Sequence, residues 1–111
     1  MEEIYNIVPK DKRETRFFLC KNEITNIVAE RIKILEADPR LTTLSELITT
    51  NPTILALEEI RQHVSPASIL RIINEKIEGK KKIITCEEFK VSEMEFDEND
   101  IETQINQWKL Q

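Results

Sequence analysis

The residues able to do chemistry are few and scattered. His63 is the sole histidine, and Cys20 and Cys86 lie far apart with no CxxC spacing. Without a cysteine or second histidine nearby, His63 cannot complete a zinc site of ordinary ligand count, and it is expected at the surface or at the end of a helix. The carboxylate pairs Glu58-Glu59 and Glu87-Glu88 occupy adjacent positions. Neighbours on a helix point about 100° apart, so neither pair converges on one site as an acid and base must. No glycine-rich phosphate loop, GxSxG or HExxH occurs. The inventory predicts a protein that is not an enzyme, with no catalytic residue, no cofactor and no metal. Two unspaced cysteines predict free thiols in a reducing, intracellular compartment.

Binding is the chemistry that remains. Arg31 falls seven residues after Ile24, two helical turns on, and so lies on an apolar stripe. A guanidinium there needs a carboxylate or a partner's carbonyls, which leaves an interface and a satisfied buried pair both open. Arg71 sits within an apolar run, where alternation sets it opposite in face to Leu70 and Ile72. Lys80-Lys81-Lys82 forms a local positive patch, better suited to keeping a turn soluble than to gripping phosphate. Trp108, on a mostly polar stretch, suits an anchor in a partner's pocket or a side chain folded back onto its own core.

The elements that must position these residues follow from periodicity. Residues 1–14 read as an extended or loose N-terminal extension containing the charge-dense Lys10-Asp11-Lys12-Arg13-Glu14, and Phe17-Phe18-Leu19 reads as an apolar anchor. From Asn22 to Ala37, Ile24, Ile27, Val28, Ile34 and Leu35 recur at three- and four-residue steps, with Asn22 as the candidate cap; Asp38-Pro39 ends the helix. Leu41 to Ile48 has the spacing of a short helix, with Leu44, Leu47 and Ile48 on one side, weakened by Thr42, Thr43, Thr49 and Thr50. Asn51-Pro52 starts another, with Ile54, Leu55, Leu57, Ile60 and Val64 as its stripe. The β-branched run after Pro66, broken at Glu78-Gly79-Lys80 and resumed at Lys82, reads as a hairpin with a basic tip, a helix over 68–77 being the competing reading. Thr85-Cys86-Glu87-Glu88 has capping-box spacing, and Ile101, Ile105 and Trp108 mark an acidic amphipathic helix over 97–110. The expected fold class is α+β, mainly α: a single helical domain over 15–111 with a small β-hairpin and a C-terminal amphipathic helix.

At 111 residues with 40% apolar content but only 5% aromatics, the chain supports one aliphatic core. Its net charge of −5 is concentrated at one end: residues 1–86 carry 14 basic against 13 acidic side chains, residues 87–111 only 2 against 8. That distribution supplies no phosphate-binding field over the molecule, so protein is the expected partner and nucleic acid only an indirect one. Met1-Glu2-Glu3-Ile4-Tyr5 has neither the basic region nor the apolar run of a signal peptide, and no run approaches the roughly 20 apolar residues that span a bilayer, so no membrane association is expected.

The stretch Thr15 to Arg71 resembles the omega and sixth-subunit family of multisubunit DNA-directed RNA polymerases. That family begins its folded part with a Thr, a short apolar group and a Lys-x-Glu leading into a helix with an Arg eight residues on; Thr15, Leu19, Lys21, Glu23 and Arg31 stand at those places. Its second signature, an Asn or acidic residue before Pro, an apolar-Ala pair, a Glu and then a Pro opening an Arg-containing strand, is matched by Asn51, Pro52, Leu55, Ala56, Glu59, Pro66, Ile69 and Arg71. Asn22, Thr25-Asn26, Ala29 and Leu70 depart from the family's usual residues. The terminal Trp108-Lys109-Leu110-Gln111 looks like the tail of the poxvirus version. The resemblance implies a non-catalytic subunit docked on the largest polymerase subunit and in contact with other polymerase subunits, with Thr15, Lys21, Glu23, Arg31, Pro52, Glu59, Pro66, Arg71 and Trp108 as partner-binding candidates. A viral source would place it in the host cytoplasm and virion. Two other functions suit the same chain: a free-standing regulatory adaptor binding through its acidic C-terminal helix and Trp108, and a sequence-independent nucleic-acid binder working through Lys80–Lys82 and the basic N-terminal segment.

Overall fold

Asn51 and Pro52 begin the most buried element as their types dictate. The Asn51 side chain accepts hydrogen bonds from the amides of Thr53 (2.9 Å) and Ile54 (3.2 Å), and Pro52 takes the first helical position, where no amide donor is needed. In a computed structural model describing residues 1–110, the resulting helix α2 spans Pro52–Arg61 and is buried on every side from Thr53 to Ile60. It packs against α1 (Lys21–Ala37) and α3 (Glu98–Lys109). A helix buried all round needs neighbours on more than one face, and these two supply them. Leu35, Leu55 and Ala56 form a tight buried group with Val28 and Leu44 packed against it.

The fold is α+β and mainly helical, and the chain divides into two compact units. One comprises Phe17–Ala67 and Lys90–Gln111 and holds the three helices. The other comprises Met1–Arg16 and Ser68–Phe89 and holds most of a three-stranded sheet. Its strands are β1 (Glu2–Ile7), β2 (Ser68–Glu78) and β3 (Lys81–Lys90), in the order β1-β3-β2. β2 and β3 are adjacent and joined through Gly79-Lys80 alone, which makes them an antiparallel hairpin. Gly79 has φ +61° and Lys80 does not share the positive φ, the pattern of a type II′ turn that suits the strands' twist. The strand reading of residues 68–77 therefore holds over the helical one.

Several local expectations are corrected. Residues 2–7, read as loose or extended, form a strand parallel to β3 in which Glu2 faces Lys81, Glu3 faces Lys82 and Tyr5 faces Ile84. A parallel partner so distant in sequence leaves no local signature. The first helix is capped by Cys20, not Asn22: the Glu23 carboxylate reaches back to the Cys20 amide (3.1 Å), and Asn22 lies inside the helix. Residues 42–50 are irregular rather than helical, because Thr42 and Thr43 spend their hydroxyls on Glu59 and on the Val64 carbonyl. Thr85 caps no helix, since its segment lies within β3. Of the Phe17-Phe18-Leu19 anchor only Leu19 is buried. The C-terminal helix expected over 97–110 is present as Glu98–Lys109 and buries Ile101 and Ile105; its cap, which the sequence reading did not name, is Asp97, whose side chain accepts from the Asn99 and Asp100 amides.

Candidate protein-binding surfaces and the clusters behind them

Arg31 lies on the buried stripe of α1 with Ile24, Ile27 and Leu35, as its spacing indicates, and is 7% exposed. Its Nε and Nη2 donate to the two carboxylate oxygens of Glu59 on α2, at 2.8 and 2.9 Å. Glu59 is fully buried and also accepts from the Thr42 hydroxyl (2.7 Å) and the Thr43 amide (3.1 Å). Burial pushes this carboxyl's pKa up, but hydrogen bonds from Arg31, Thr42 and Thr43 outweigh it and hold the group below the ordinary carboxylate value. Of the two states open to Arg31, the satisfied buried pair is the one found. Next to it, Glu58 is pulled down against the same burial penalty by Arg61 and Gln62.

A second cluster stands in the sheet-containing unit. Glu87 is buried and accepts from the Glu14 amide (2.6 Å), the Thr15 amide (3.3 Å) and, at short range, the Thr15 hydroxyl. Burial raises its pKa, and the Thr15 and Glu14 bonds reverse the shift and leave it lowered. Arg71 donates to Thr15 Oγ1 (3.0 Å) and to the Arg16 carbonyl. Its guanidinium lies 4.8 Å from the centre of the buried Phe89 ring, with Arg13 at 4.4 Å from the same ring. Glu87 carried no signal in the sequence beyond its type; nothing there distinguishes a buried strand glutamate from the exposed Glu88.

The nine candidate residues thus sort by geometry. Thr15 meets Arg71 and Arg31 meets Glu59. Glu23 closes the capping box of α1, Pro52 opens α2, and Pro66 lies exposed in the connection before β2. Lys21 is exposed at the first position of α1. Trp108 is exposed near the end of α3, between two clefts. One, of about 280 Å³, is lined by Thr25, Val28, Ala29, Ile32, Thr53 and Gln104; the other, of about 510 Å³, reaches Ile48, Asn51 and Ile54.

The basic hairpin tip has acidic neighbours. Lys81 and Lys82 stand opposite Glu2 and Glu3 in the ladder, Lys82 reaches Glu75 (3.5 Å), and Lys76 pairs with Glu78 (2.8 Å). His63 follows α2 with φ +56° and packs against Phe96, ring centres 5.1 Å apart and planes tilted by 37°. Among the described residues no three His, Cys, Asp or Glu side chains gather as metal ligands, and no helix is long and apolar enough to cross a membrane. Comparison with known proteins gives no match to a protein-family model or to a curated sequence.

Proposed function

We propose that this chain is a non-catalytic small subunit of a multisubunit DNA-directed RNA polymerase, binding the largest subunit and supporting its assembly and stability during transcription, in an intracellular, reducing compartment. One observation carries the reading. Four positions singled out by the resemblance pair off in space, Thr15 with Arg71 across 56 residues and Arg31 with Glu59 across 28. A chance coincidence of residue types would not be expected to select mutual partners. Those four residues hold the scaffold, which leaves Lys21 and Trp108 as the candidates on the surface facing a larger protein.

The test is affinity purification of the tagged chain from its native cells at moderate salt, with mass spectrometry of what is retained. Recovery of two very large polymerase subunits, reduced by Trp108→Ala and Lys21→Ala without change in the far-ultraviolet circular dichroism of the bait, supports the proposal. A folded bait that retains no polymerase subunit overturns it. The adaptor reading rests on the acidic first turn of α3, Glu98 and Asp100, beside the exposed Trp108. Retention of a basic partner without polymerase, lost on Glu98→Gln with Asp100→Asn, would favour it.

A further inference from the structure

We draw no further inference here: the strongest candidate, the apolar cleft of about 280 Å³ beside Trp108 that Thr25, Val28, Ala29 and Ile32 of α1 line together with Thr53 and Gln104, carries no proposal because nothing in the structure shows what covers it.

Discussion

Arg31 on α1 and Glu59 on α2 share two hydrogen bonds of 2.8 and 2.9 Å in a site where the carboxylate has no solvent exposure. The pair ties two helices whose remaining contacts are aliphatic and non-directional, and it recruits the irregular segment after α1 through Thr42 and Thr43. Removing one partner strands the other charge in the core, whereas removing both deletes the penalty with the bond.

Arg31→Ala is therefore expected to cost about 3–5 kcal/mol, because it leaves Glu59 buried and uncompensated. Arg31→Met combined with Glu59→Leu should be more stable than either single change, its residual cost lying in the freed Thr42 hydroxyl and Thr43 amide. Urea denaturation of the three variants decides this; a double variant no better than the singles would sink it.

Glu87→Gln keeps an acceptor oxygen but gives up the charge that holds Glu14 and Thr15. Weakening these charge-assisted bonds should cost about 1–3 kcal/mol and loosen the segment leading to Thr15. Tryptic cleavage at Lys10, Lys12 and Arg13 should accelerate, and the Glu14 and Thr15 amides should exchange faster. Unchanged cleavage would show that Glu87 does not hold this segment.

Both buried carboxyls have lowered pKa values in the folded chain. The unfolded chain therefore binds protons first as pH falls, and the stability these groups contribute is present above about 4.5 and is lost progressively as pH drops through their lower folded values. The urea midpoint should fall steeply below that pH in the native chain, and less steeply in Glu59→Gln and Glu87→Gln. Equal slopes in all three would refute the assignment.

Asn51 accepts from two amides at the start of α2, so Asn51→Ala should cost about 1 kcal/mol and lower the melting temperature by about 4–8 °C. Asn51→Asp, which preserves the acceptor, should recover most of the loss. A thermal melt followed by circular dichroism measures both.

How much of this was readable without coordinates depends on the range of the interaction. The helix start at Asn51-Pro52 and the turn at Gly79 depend on a few adjacent atoms and were legible from residue types. So was the place of Arg31 on a buried stripe, because helical period alone sets it there. The capping of α1 was misread by two residues, since Cys20 is an unusual cap and Asn22 a common one.

The sequence by itself determined which segments carry a period and most of the residues those periods bury; Ile34 and Val64, both placed on a stripe, stay exposed. Tertiary structure alone decided what the buried polar groups meet. Glu59 answers Arg31, Glu87 holds the chain at Glu14 and Thr15, and the first residues join the sheet as β1. Each of these pairings joins residues 28 to 79 positions apart, and their free energy is gained only when packing brings the partners together and excludes water. A periodic pattern records which face is apolar; it carries no record of the distant charge that makes a buried one tolerable.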